Sequence, residues 1–205
     1  MKSSELRNVF LLVVFCLITF FANRAALPTD IMESRNIITA REMVSDGNWL
    51  VPTMNGELRL EKPPFPTWVA GGIEELFPGS LSAQRFAAGV MACIWVLYLY
   101  LFVRRASRRD DLALVTVIVF TTCYNMILMG RSATWDIYCH AFMMGAIYYL
   151  TLGFTESRHC WRNFLLSGFF MGFSFLSKGP VSFYALLLPY LITLLLLPRP
   201  SMKGK

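Results

Sequence analysis

Six blocks of apolar residues dominate this chain, and their length restricts what it can become. They cover residues 9–26, 83–103, 112–129, 137–154, 164–177 and 181–197. Spanning the hydrocarbon core of a bilayer takes about 20 residues of helix. Five of the blocks approach that length, and the fifth in order is short, as in a tilted span or one paired tightly with the sixth. In lipid the backbone must satisfy its own hydrogen bonds, so blocks of this kind become helices. The expected class is all-α: a polytopic membrane bundle of six helices with a long first outer loop. Composition agrees, with 56% hydrophobic residues, 17 Phe and only 16% charged residues, against about a quarter charged in soluble domains.

Basic residues orient the bundle. Lys2 and Arg7, Arg104, Arg105, Arg108 and Arg109, Arg158 and Arg162, and Arg199, Lys203 and Lys205 fall in short segments on one side. By the positive-inside rule that side is cytoplasmic, and both ends lie there. The 27–82 segment, the Gly130 turn and the Lys178 turn then face outward. The net charge of +6 therefore reports topology, and nucleic-acid binding is not expected. The first block resembles an uncleaved anchor more than a signal peptide, because its Phe-rich run is long and "NRAA" is a poor cleavage site. The five Cys (16, 93, 123, 139 and 160) all avoid the long outer loop, so no disulfide framework is expected.

That loop is too long for a connector and predicts structure of its own. Asp30 and Glu33 have the spacing of a capping box. They predict a helix through Ile37, Ile38 and Val44 that stops near Gly47. A second helix is predicted over 65–77, started by prolines and closed by "PGS". Both helices are too short to span, and are expected in the interface plane with apolar faces toward lipid. Between them lies "NGELRLEKPPFPTW", where Pro63 and Pro64 stiffen the chain after Glu61 and Lys62. A solvated ion pair is the plain reading of those two charges. A Lys held at headgroup depth for a phosphate is the functional one.

Two more polar places interrupt the apolar chain. "MGRSATWDIYCH" puts Arg131 and Asp136 at the outer junction of the third and fourth spans, with N-capping as the plain reading of Asp136. "LSKGPVSF" puts Lys178 between two apolar runs, either snorkelling or facing the bundle. His140 reads as structural, and Gly168 with Gly172 as a helix-packing GxxxG. On one topology Asp30, Glu33, Glu61, Lys62, Arg131, Asp136 and Lys178 reach the same outer boundary. Carboxylates and cations gathered there suit chemistry on a phospholipid-like substrate.

"ITAREMVSDGNWLVPTMNGELRLEKPPFPTWV" resembles the first periplasmic loop of the C-type glycosyltransferases. It is most similar to bacterial lipid A aminoarabinose transferases and dolichyl-phosphate-mannose protein mannosyltransferases. "GRSATWD" resembles their Arg-Ser-x-x-x-Asp segment, and "FLSKGPV" their Thr/Ser-Lys-Gly-Pro turn. The resemblance implies transfer of a sugar from a polyprenyl-phosphate carrier to a lipid, glycan or protein acceptor. The expected place is the outer face of a bacterial inner membrane, and membrane lipid is a further partner. It implies that Asp30, Glu33 and Asp136 are catalytic. Glu61, Lys62, Arg131 and Lys178 would bind substrate, with Lys62 on the carrier phosphate. It implies no certain cofactor and leaves a divalent metal open, with no ligand set. Where the family has Asp, this chain has Met32, followed by Glu33 and Arg35. Asp30 re-aimed, Glu33 itself, or an acceptor that needs little base would each answer. The family continues through more spans into an outer soluble domain. Residues 1–205 are thus expected to be its N-terminal transmembrane part, with 27–82 as the first periplasmic loop. Without the later helices that part is expected to hold half of the donor pocket, or to act as a carrier-lipid-binding module; a transporter-like bundle is the other alternative.

Overall fold

The structure is a computed structural model that describes residues 3–156 and 159–196. Lys2, Arg158, Arg199, Lys203 and Lys205 of the orientation argument, and Leu197 of the last apolar block, lie outside those residues. Helix α1 (Ser3–Cys16) runs into a π-helical turn at Leu17–Phe21, and a short 3-10 turn follows at Arg24–Ala26. Helix α2 (Ile31–Ser45) and helix α3 (Phe65–Leu76) form the outer segment, with the two-stranded ribbon β1 (Thr53–Met54) and β2 (Glu57–Leu58) between them. The bundle follows: α4 (Leu81–Ser107), α5 (Asp110–Thr122), α6 (Tyr124–Gly130), α7 (Trp135–Thr155), α8 (Cys160–Lys178) and, after a π-helical turn at Phe183–Leu187, α9 (Leu188–Leu196).

All six apolar blocks are helical over most of their described residues, with breaks at Ala22 and Asn23 and at Cys123, but they are not six equal spans. Among the described residues three helices are long and apolar enough to cross a membrane: Arg7–Ala26, Leu81–Ser107 and Trp135–Thr155. A fourth crosses if α5 and α6 count as one, although they meet at Cys123 with a bend of 74°. Helix α8 falls short for a physical reason: one of its faces is polar. Asn163, Ser167, Ser174 and Ser177 are buried, while Leu165 and Phe169 are 71% and 61% exposed. This inverts the order of a soluble protein and is the order lipid demands. The small hydroxyls let α8 approach α7 closely and bond to its backbone. Ser167 donates to the Ala146 carbonyl at 2.9 Å, and Ser174 to the Cys139 carbonyl at 2.8 Å. Gly145 completes the seam, since a Cβ there would stand 2.9 Å from Phe170. At Gly168 and Gly172, the expected GxxxG face, an added Cβ would meet no other element within 4 Å among the described residues, so that face packs on none of them. The ring of His140, read as structural, stands 5.2 Å from that of Trp95. The five Cys are free.

The two outer helices form where the sequence places them. Their apolar faces, however, turn toward protein rather than lipid. Ile37, Ala40 and Met43 of α2 are buried, as are Ala70 and Gly71 of α3. Trp49 closes over Gly71, where a Cβ would meet its ring at 3.0 Å, and accepts a 2.7 Å bond from the Trp68 indole on its carbonyl. The ribbon turns at Asn55 and Gly56, with φ of 56° and 77°. That is the left-handed pair of a two-residue hairpin turn. Glu42 of α2 holds it, accepting from the Asn55 amide, from the Gly56 amide at 3.3 Å and from the Thr53 hydroxyl at 2.7 Å.

These bonds hold the Glu42 carboxyl below its ordinary value, with the Thr53 hydroxyl as the largest cause. A depressed carboxylate lends stability above its ordinary pKa and withdraws it as pH falls through its lowered one. Hydrogen exchange at Asn55 and Gly56, corrected for intrinsic rate, is therefore expected to accelerate as pH falls below 4.5. In Glu42→Gln the same amides are expected to show no such acceleration.

Candidate functional site

The outer segment is fastened to the bundle by one buried ion pair. Glu33 is fully buried, and its carboxylate takes Arg85 Nε at 2.8 Å and Nη2 at 2.6 Å. It also accepts the Ala133 amide at 2.9 Å. Arg85, in the first turns of α4, donates its remaining bonds to the carbonyls of Arg24 at 2.7 Å and Leu27 at 2.8 Å. One turn along α2, Asn36 donates to the Ala133 carbonyl at 2.9 Å and accepts from Thr67 of α3 at 2.9 Å. The peptide groups flanking Ala133 are thus held on both sides. This hold positions the start of α7, and Asp136 with it.

Each expected site residue has a definite place. Asp30 caps α2, accepting the Glu33 amide at 2.6 Å, and is otherwise exposed. The capping box is half realised, because the Glu33 side chain turns inward to Arg85 rather than back to Asp30. Its carboxylate is enclosed and already accepts three bonds. Asp136 is not the N-cap of α7, since Thr134 occupies that position. Asp136 instead pairs with Lys178, which closes α8, so the bundle-facing reading of Lys178 holds. Arg131 donates to the carbonyls of Ala22 and Asn23 at the end of the first span. Glu61 is 65% exposed and stands 4.0 Å from Arg59 Nε.

Lys62 is half-buried and lines a narrow cleft with Thr39, Pro52, Arg59, Pro64, Thr67 and Trp135. Phe65, just past the prolines, anchors this edge by edge-on contacts with Tyr138, Phe142 and Phe173, ring centroids 5.0–6.2 Å away. Two residues missed in the sequence complete the picture. Arg59 is 6% exposed, lies over the Trp135 ring at 5.3 Å, and donates to the Arg35 carbonyl and the Thr39 hydroxyl, each at 2.8 Å. Burial draws its pKa below the ordinary arginine value, and it stays charged at neutral pH. Arg85 was the second. A cation and an amide side by side at "AQRFAAGV", opening an apolar run, were the available signal. Among the described residues no three His, Cys, Asp or Glu side chains gather as a metal site.

A helical membrane protein with cations and a carboxylate gathered at one end of its bundle is the class these features define. The family model described as dolichyl-phosphate-mannose-protein mannosyltransferase matches residues 61–203. The chain belongs to that family, as the resemblance read from its motifs implied. It is similar to the undecaprenyl phosphate-alpha-4-amino-4-deoxy-L-arabinose arabinosyl transferase of Shewanella sediminis, 32% identical over 78% of this chain and 29% of that protein. A Proteus mirabilis protein of the same description, numbered 2, is 25% identical over 93% of this chain and 34% of its own length. The crystal structure of ArnT from Cupriavidus metallidurans in the apo state shares the fold, with a TM-score of 0.78 and 22% identity over 94% of this chain and 37% of that one. The same protein bound to undecaprenyl phosphate gives a TM-score of 0.75 at 20% identity, over 95% of this chain and 36% of that one. The chain thus spans about a third of the length of the relatives it matches.

Removing one partner of a buried ion pair leaves the other charge stranded, at a cost of about 3–5 kcal/mol. Arg85→Met and Glu33→Met are each expected to lose that much in denaturant unfolding of the detergent-solubilised protein. The double substitution, which leaves no stranded charge, is expected to lose markedly less than the sum.

Proposed function

We propose that this chain forms part of a membrane glycosyltransferase that draws its sugar from a polyprenyl-phosphate carrier. The observation that carries the reading is the half-buried Lys62, preceding Pro63 and Pro64, in a cleft that is also lined by Trp135, the neighbour in sequence of the Asp136 that pairs with Lys178. Family membership supports it, and so does a structural relative whose description includes bound undecaprenyl phosphate. Acceptors of the lipid, glycan or protein class fit the reading. The active face is the outer side of a bacterial inner membrane, with the N-terminus cytoplasmic.

In the reaction the sugar C1–O bond breaks and its electron pair stays on the carrier phosphate. The acceptor oxygen bonds to C1 from the opposite side, and a hydroxyl acceptor gives up its proton. Lys62 holds the phosphate as a point charge. Lys178 pairs with Asp136 and aims it, so Asp136 is the carboxylate available to receive that proton. A phosphate acceptor, already ionised near neutral pH, would need no such base, and this removes the difficulty posed by Met32. Glu33 positions the site. Glu61 and Arg131 flank it, one at the mouth of the cleft and one bracing the loop before Asp136. Asp30 remains an exposed carboxylate at the start of α2.

Membranes containing the protein, incubated with a polyprenyl-phosphate sugar, are expected to release carrier phosphate in step with sugar transfer. Lys62→Ala is expected to lower transfer about tenfold or more, the range for losing a charged hydrogen bond. Transfer unchanged in both Lys62→Ala and Glu61→Gln would remove the site assignment. Carrier binding without transfer would leave the chain a binding module.

A further inference from the structure

The cleft beside Lys62 is rich in donors and poor in acceptors. The Arg59 guanidinium commits Nη1 to the Arg35 carbonyl, the Thr39 hydroxyl and, at 3.7 Å, the Met54 sulfur. Among the described residues its Nη2 has no partner, and neither has the indole Nε1–H of Trp135, a residue 3% exposed. The hydroxyls that line the cleft are already engaged: Thr39 donates to the Arg35 carbonyl and Thr67 to Asn36. The nearby carboxylate, Glu61, stands 4.0 Å from Arg59 Nε and is mostly in solvent. Buried donors in native proteins find acceptors, so two buried N–H groups beside a lysine imply an anionic oxygen. The cavity at this point is about 10 Å³, roughly the room that one water-sized oxygen needs.

We propose that Arg59 and Trp135, together with Lys62, form a seat for a single oxygen of a phosphate group. On the carrier-dependent reading above, this is the oxygen that inherits the electron pair when the sugar leaves. In the donor that oxygen is bridging and weakly basic. After C1–O cleavage it is anionic, and the monoester gains a second charge with a pKa near 6. A fixed guanidinium stacked on an indole pays no reorganisation to meet that charge. Arg59 and Trp135 therefore favour the phosphomonoester, and the transition state leading to it, over the phosphodiester. Lys62, at the half-exposed mouth of the cleft, serves both forms.

The test uses the whole chain in nanodiscs, titrated with farnesyl phosphate, with its methyl ester (a phosphodiester) and with inorganic phosphate, and read by tryptophan fluorescence. Wild type is expected to prefer the monoester, with affinity rising as pH passes through about 6. Arg59→Gln is expected to lose about ten- to a hundredfold for the monoester, much less for the methyl ester, and the pH dependence with it. Arg59→Lys is expected to recover part of that loss. Since Arg59 also braces Arg35 and Thr39, Trp135→Phe provides a gentler probe, keeping a ring and removing only the N–H. It is expected to reduce the preference for the monoester and to remove the emission shift on binding. Wild-type affinities for both ligands in Arg59→Gln and Trp135→Phe would overturn the proposal, as would equal losses on monoester and diester. Loss in Arg59→Gln with none in Lys62→Ala would uphold it and refute Lys62 as the phosphate holder. Inorganic phosphate binding as tightly as farnesyl phosphate would uphold the seat and refute the carrier as its source. Failure of wild type to bind any of the three would overturn both readings.

Discussion

The Glu33–Arg85 pair is the contact on which the outer half of this molecule depends. Two charges enclosed among apolar helices are tolerated only when each is fully bonded. Here the carboxylate takes two guanidinium nitrogens and the Ala133 amide, and the guanidinium also takes backbone carbonyls after the first span. Four pieces of chain thereby meet at one point: the end of the first span, α2, the start of α4 and the turn before α7. Besides the pair, the Asn36 bond to the Ala133 carbonyl, the Gln84 bond to the Ala70 carbonyl and the Phe65 plug hold the outer helices to the bundle.

The functional residues hang from that point. The Ala133 peptide groups, gripped by Glu33 and Asn36, set where α7 begins, and α7 carries Trp135 and Asp136 in its first turn. Thr67 ties α3 to the same Asn36, so the proline-stiffened strand before α3 arrives against Trp135. Lys178 comes from the opposite direction, at the end of α8, and reaches Asp136 because α7 and α8 lie against each other along a seam of serines. The cations of the cleft and the Asp136–Lys178 pair are thus delivered by three separate elements, and no single motif contains them.

Much of this could be read from residue order, and the unread part has a physical pattern. The outer helices were legible because caps and prolines act over three or four residues. The polar residues at the ends of spans were legible because a charge next to lipid is conspicuous. Arg85 was not, because its partner lies 52 residues away and the local signal, a cation beside Gln84 at the start of an apolar run, names no partner. Arg59 was read past for the opposite reason: in a charged loop, an arginine looks solvated. The Asn55–Gly56 hairpin carried a plain signal that the neighbouring EKPP overshadowed. Gly168 and Gly172 misled because a packing motif states what a face can do, whereas the face that packs is chosen by the serines and by Gly145.

The inverted polarity of α8 bears on how the molecule enters its membrane. A helix with Asn163, Ser167, Ser174 and Ser177 along one side has a poor case for leaving water alone. Beside α7 those hydroxyls find carbonyls at Ala146 and Cys139, and only the apolar side is left to lipid. Since α7 is made first and is apolar enough to cross unaided, it serves as the partner that admits α8. Lateral insertion of this pair is then a cooperative act, and the Asp136–Lys178 bridge is assembled at the moment the second helix follows the first.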